Sequence, residues 1–126
     1  MQHDGYAKHI GFHVEYTGDG SGSGELEVRD IHLNPNGVVH GGAIFSLADT
    51  TMGAALFSSL AEGEICATIQ INISYFKPVM AGRLTCEAKV INRGKRVANM
   101  QALVFLDGVT VASADANFAI FSPGNE

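Results

Sequence analysis

Residues 40–61 read HGGAIFSLADTTMGAALFSSLA, a stretch dominated by Ala, Leu, Phe, Met and Ile, without proline, and followed by Glu62-Gly63 as a stop. This composition predicts one helix from His40 to about Ala61. Its apolar residues do not keep to a single stripe, and a helix apolar nearly all round has to be covered nearly all round. The same run is too polar for a membrane span, because Ser46, Asp49, Thr50, Thr51, Ser58 and Ser59 interrupt it and no Lys or Arg flanks either end.

The cover is legible downstream. From Ile65 to Tyr75 the odd positions are Ile65, Ala67, Ile69, Ile71, Ile73 and Tyr75, while the even ones from Thr68 onward are Thr68, Gln70, Asn72 and Ser74. Strict period two over that length predicts a long strand with one apolar and one polar face. Three more strand candidates follow, Leu84–Ile91, Val97–Leu106 and Thr110–Phe121, separated by turn signals at Asn92-Arg93-Gly94 and Asp107-Gly108. Short connections imply antiparallel neighbours. Upstream, residues 11–17 and 24–30 are short strand candidates joined by GDGSGSG, a loop by composition. That segment is no phosphate-binding fingerprint, which needs a helix directly after the glycines. The expected architecture is α+β, a curled antiparallel sheet wrapped around one long central helix, in a single domain over residues 1–126.

Thirteen acidic residues against eight basic ones give a net charge of −5, which argues against a broad nucleic-acid footprint. Cys66 and Cys86 belong to no CxxC pair and are expected as small buried strand residues. The start MQHDGYAKHIGF lacks a basic cluster followed by a long apolar core, so no secretory signal is expected. Cytoplasmic residence with reduced thiols follows as the default. His3, His9, His13 and His32 are scattered, and only His9 and His13 have a ligand-like spacing, in a stretch containing Gly11; no metal is assigned.

The run His40-Gly41-Gly42-Ala43-Ile44-Phe45-Ser46-Leu47-Ala48-Asp49 resembles the HGGxxxxLxD signature of the hotdog-fold acyl-CoA thioesterases, in particular the PaaI-like branch. Asn34 stands six residues before His40, as the family's upstream asparagine does, and Asn72–Pro78 is similar to the family's strand ending in Tyr-x-x-Pro. The resemblance covers residues 30 to 121. It implies a homodimer with sheets joined edge to edge, often paired into a homotetramer, acting on acyl-CoA without metal or organic cofactor, coenzyme A being part of the substrate.

Elementary chemistry agrees with that implication. Thioester hydrolysis needs a group to polarise the carbonyl oxygen, and free amide N–H groups at a helix start can do so with help from the helix dipole. Glycine at 41 and 42 keeps a Cβ out of the way. Asp49 has Phe45, Ser46, Met52 and Gly53 as helical neighbours, not a charged face, and its carboxylate can attack the thioester or deprotonate a water. Gly41 and Asp49 are eight residues apart, about 12 Å along a helix, yet both must reach one carbon. Two antiparallel helices related by a two-fold axis meet that demand by pairing Gly41 of one chain with Asp49 of the other.

Supporting roles come from the resemblance: Asn34 orients substrate or water near the glycine amide, and Thr68 stands where related enzymes place a serine that positions water beside the aspartate. His40 is expected to orient the helix start or to hydrogen-bond near the oxyanion. Arg93-Gly94-Lys95-Arg96 gathers three of the eight basic residues in one turn, suited to the phosphates of coenzyme A, with Lys77 and Arg83 as weaker candidates. Met52, Leu56 and Phe57 are expected around the acyl group, aryl or medium-chain. The competing readings are a hotdog hydratase/dehydratase and a non-catalytic acyl-CoA-binding protein. No nucleic-acid or membrane partner is expected.

Overall fold

A computed structural model describes residues 4–125; His3, among the histidines considered above, lies outside them. The chain runs α1 (Gly5–Ile10), β1 (Phe12–Gly18), β2 (Ser21–Glu27), a 3-10 turn (Asp30–His32), α2 (Gly41–Phe57), β3 (Ile65–Tyr75), β4 (Arg83–Arg93), β5 (Val97–Leu106) and β6 (Val109–Phe121). The strands form one antiparallel sheet in the order β1-β2-β4-β5-β6-β3, curled around α2. The helix ends four residues earlier than its composition suggests. Ser58 caps its end, donating through Oγ to the Ala55 carbonyl at 3.0 Å and accepting from Gly20 N–H at 3.2 Å. Serine hydroxyls compete for helix carbonyls in this way and so favour ends.

Composition misplaced β2. Only Asp19 and Gly20 form the turn, both with positive φ like Gly18 at the end of β1, and the strand begins at Ser21. Gly22 is in the strand because α2 presses onto it: a Cβ there would fall 2.9 Å from Ala55 N and from Thr51 O. Glycine in a strand marks such a close backbone approach.

The short-connection rule holds for β1–β2, β4–β5 and β5–β6 and fails for β3 and β4. Residues 76–82 cross the end of the curled sheet, so β3 pairs with β6, and β4 with β2. Phe76 N–H bonds to Val111 O, while Val79 O and Gly82 O accept from Val39 and Val28, so the crossing is tied to its surroundings.

Ile44, Leu47, Ala48, Met52, Ala55 and Leu56 of α2 are buried against Leu84, Cys86, Ala98, Met100, Ala102 and Ala112 of the sheet. Full cover does not occur within one chain. Gly42, Phe45 and Phe57 are exposed and Asp49 and Gly53 half-buried, forming one open stripe at helical spacing.

Two bulges decide which side chains face the helix. Thr68 pairs with Phe118 and Gln70 with Asn117, leaving Ile69 as an extra residue. Directly paired residues share a face, so Cys66 and Thr68 lie on the helix side with Ile120 and Phe118, as Ile71 and Ile73 do beyond the bulge. The expected single apolar face of β3 is therefore broken at Ile69: Ile65 and Ala67 turn outward and Thr68 turns inward. In β4, Val90 pairs with Met100 and Asn92 with Asn99, so Ile91 is the extra residue and Arg93, opposite Ala98, faces inward. Bulges re-aim side chains in this way and are frequent beside functional sites.

Candidate active site

The inward turn of Thr68 brings it to the middle of α2, where its Oγ1 donates to Asp49 Oδ1 at 2.7 Å. Asp49 and Thr68 stand at a cleft of about 450 Å³ lined also by Gly53, Ala54, Phe57, Leu60 and Phe118. Cys66 opens onto the same cleft and is only half-buried, unlike the expected core thiol. Burial, with the Asp49 charge adding to it, raises the Cys66 pKa above the ordinary thiol value. A thiol held protonated is a poor nucleophile, which leaves Asp49 as the candidate reactive group of this cleft. Cys86 is buried behind Thr51 and pushed up to about 12 by its burial. Of the residues expected around an acyl group, Phe57 lines the cleft, while Met52 and Leu56 are fully buried in the core.

A second cleft of about 310 Å³ lies at the start of α2, lined by Val38, Gly41, Ile44, Tyr75, Phe76 and Val79 among others. His40 occupies the N-cap position without a side-chain cap, and its N–H donates to His32 O at 2.8 Å. Among the described residues, neither Gly41 N–H nor Gly42 N–H has a hydrogen-bond partner. These amides carry the positive end of a seventeen-residue helix. The two clefts share no lining residue. One chain thus keeps its free amides and its Asp49 apart, as the length of helix between them requires.

The two glycines differ. A Cβ on Gly41 would meet Tyr75 Cζ at 3.0 Å and Oη at 3.1 Å, whereas a Cβ on Gly42 would meet nothing within 4 Å. Tyr75 Oη donates to the Gly41 carbonyl at 2.7 Å.

Asn34 holds the loop before the helix. Its Oδ1 accepts from Asn36 N–H at 2.8 Å and from Val38 N–H at 3.2 Å, and its own N–H donates to Val38 O. Its Nδ2 donors are not used in these bonds.

The basic turn divides. Arg93 donates to Glu64 Oε1 at 2.7 Å, to Ser59 O at 3.1 Å and to Gly94 O at 2.7 Å, and so ties the end of α2 to β4. Glu64 also accepts from Ala61 N–H at 2.8 Å, and this bond first, then Arg93, holds its carboxyl below the ordinary glutamate range. Gly94 closes the hairpin, donating to Val97 O at 2.9 Å. Lys95 and Arg96 are exposed at its tip. Arg83 pairs with Glu25 and Glu27 on the surface.

His32 is buried, accepting from Arg29 N–H at Nδ1 and bonding Ile10 O through Nε2, a structural link to the N-terminal segment. Among the described residues, no three His, Cys, Asp or Glu side chains converge as a metal site requires. Nor is any helix there long and apolar enough to cross a membrane. Depressions of about 500 and 460 Å³ on the outer face of the sheet touch neither Asp49 nor the helix start.

The motif and the family resemblance pointed to Asp49, Gly41 and Thr68 but gave Tyr75 and Glu64 no role. Tyr75 stood in the Tyr-x-x-Pro run, which was the one available signal; Glu64 beside a helix stop carried none.

A six-stranded curled antiparallel sheet enclosing one long helix is the hotdog fold. Residues 36–113 match the thioesterase superfamily, and the chain belongs to that family. A conserved protein of Pseudomonas aeruginosa superposes with a TM-score of 0.90 at 33% identity, over 94% of each chain. The E. coli PaaI protein from the phenylacetic acid degradation operon superposes with a TM-score of 0.85 at 28% identity, over 94% of this chain and 85% of that one. An Archaeoglobus fulgidus protein provisionally named an esterase is 40% identical over 75 residues, 59% of this chain and 47% of its own length. The chain spans about half the length of this Archaeoglobus fulgidus relative and just under two thirds of a Haemophilus influenzae one.

Proposed function

We propose that the protein is an acyl-CoA thioesterase, cleaving an aryl- or medium-chain acyl-CoA to the free acid and coenzyme A at sites shared between two subunits. The observation that carries this reading is the Asp49–Thr68 pair at the mouth of an apolar cleft, on the same helix as the free amides of Gly41 and Gly42 but a cleft apart from them. A second copy with its helix antiparallel supplies the missing half.

The open stripe of α2 and the free edge of β3 favour that partner. Phe45, Phe57, Ile69, Tyr75 and Phe76 are exposed there, and an unpaired edge strand readily accepts a second copy. Pairing two such dimers gives the homotetramer expected from the family resemblance.

In the reaction, Asp49 adds to the thioester carbonyl or takes a proton from the water that does. The oxygen becomes an oxyanion facing the Gly41 amide of the other subunit, with Gly42 N–H beside it. Collapse breaks the C–S bond, and the coenzyme A thiolate leaves and takes up a proton; attack by water gives the free acid directly, whereas attack by Asp49 gives a mixed anhydride that water then hydrolyses to the free acid and the regenerated carboxylate. Thr68 fixes the orientation of the carboxylate. With Asn34 Oδ1 occupied by the loop, Asn34 acts on substrate through Nδ2. His40 shapes the helix start. Lys95 and Arg96 meet the phosphates of coenzyme A, while Arg93 and Gly94 hold the turn that presents them. The acyl group lies against Gly53, Ala54, Phe57, Leu60 and Phe118, and the operon of the E. coli relative favours an aryl group. No metal enters this chemistry, so dialysis against EDTA leaves turnover unchanged. The protein works in the cytoplasm, where Cys66 and Cys86 stay reduced.

Release of free thiol from a panel of acyl-CoAs tests the reading. Wild type releases thiol, and Asp49→Asn loses about 1000-fold in kcat. Retained turnover in that variant removes Asp49 from the mechanism; product without thiol indicates a hydratase, and unchanged acyl-CoA a binding protein. Sedimentation places the active species at a dimer or larger, and a fully active monomer overturns the shared site.

A further inference from the structure

Glycine at 41 has a reason inside the protomer and glycine at 42 has none. The Tyr75 ring lies where a Gly41 Cβ would go, and the Tyr75 hydroxyl reaches over it to the Gly41 carbonyl at 2.7 Å. That carbonyl belongs to the same peptide unit as Gly42 N–H, which has no partner among the described residues and has open space beside its Cα. No contact within the protomer explains glycine at 42, and the room there is open to a group from outside the chain. A hydrogen bond accepted at the carbonyl end of a peptide unit strengthens the donor at its other end.

We propose that Tyr75 is a positioning residue for thioester turnover: its hydroxyl holds Gly41 and polarises the Gly41–Gly42 peptide unit, so that the amides on either side of the Gly41 Cα stay aimed at the developing oxyanion. The proposal rests on the thioesterase reading given above. Tyr75 acts through the backbone and neither donates a proton to the substrate nor attacks it. Burial raises its pKa above the ordinary phenol value, so the hydroxyl remains a donor at neutral pH. The arrangement is rigid on both sides, because Phe76 N–H is bonded to Val111 O directly after Tyr75. The neighbouring peptide unit is treated likewise: the His40 carbonyl, which shares its unit with Gly41 N–H, accepts from Ala43 N–H at 3.0 Å.

The test is Tyr75→Phe, which keeps the ring and removes the bond. Removal of a direct oxyanion donor costs about 100- to 1000-fold; loss of a bond one step behind it is expected to lower kcat about tenfold, with KM within about twofold. In the free protein, the Gly42 amide proton moves upfield in the NMR spectrum of the variant, a readout that needs no substrate. A kcat within about twofold of wild type overturns the proposal. So does a loss of kcat with the Gly42 resonance unmoved, since the ring would then act by packing or by touching substrate. If the resonance moves but wild type itself releases no thiol from any acyl-CoA, the hold on the helix start stands and the thioesterase reading falls.

Discussion

The bulges of β3 and β4 are the same device used to opposite ends. Each adds one isoleucine whose side chain stays outside, Ile69 at 57% and Ile91 at 56% exposure, and each turns a polar residue within two positions of it toward the helix. On β3 that residue is Thr68, which makes a single bond to Asp49 and leaves Oδ2 of the carboxylate without a partner among the described residues. On β4 it is Arg93, whose guanidinium is taken up by Glu64, Ser59 and Gly94 while Glu64 is further bonded to Ala61. An inward polar group left partly unbonded in an apolar cleft can take a substrate; one bonded on all sides fastens a helix end to a strand. Residue type alone would have ranked them the other way, since an arginine in a basic turn looks more like a ligand-binding group than a threonine in an alternating strand.

The comparison is open to attack from either side. Thr68→Val keeps shape and removes the hydroxyl, and is expected to lower kcat about tenfold while leaving the melting temperature near that of wild type; an unchanged kcat would put Thr68 with the structural residues. Replacing both Lys95 and Arg96 by Ala raises KM for acyl-CoA about fivefold, an effect that shrinks in high salt. Arg93→Met, in contrast, leaves that KM within about twofold and lowers the melting temperature by about 4 °C; a large rise in KM would return Arg93 to the phosphate site.

The smallest effect concerns pH. The Glu64 carboxyl is depressed in the folded chain, chiefly by Ala61 N–H and then by Arg93, so its contribution is present above the unfolded value of 4.5 and is lost as pH falls through the lower folded value. Glu64→Gln should therefore melt below wild type at neutral pH, with the gap closing as the pH falls below 4.5 and through the lower folded value. A gap that persists in acid would mean that the loop depends on packing rather than on the ion pair.

Much of this was legible in the sequence. The helix apolar on all sides called for a wrapping sheet, and the spacing from His40 to Asp49 located both ends of the candidate site. The open stripe through Phe45, Asp49 and Phe57 is the part of that helix the protomer leaves for something else. The glycine-rich turn was misjudged because Gly22 and Gly24 are in a strand for the sake of the helix pressed against them, a contact no local composition records.

What the chain determined alone are properties of one segment: the length and composition of α2, the alternation along β3, the glycines at the helix start. What only the tertiary structure decided are properties of two segments at once. Whether Thr68 faces the helix depends on how β3 counts against β6, since one extra residue reverses every side chain on one side of it. Whether Arg93 is free depends on where the end of α2 comes to rest. And Gly41 is explained by Tyr75, thirty-four positions away, because a ring and a Cβ cannot fill the same space.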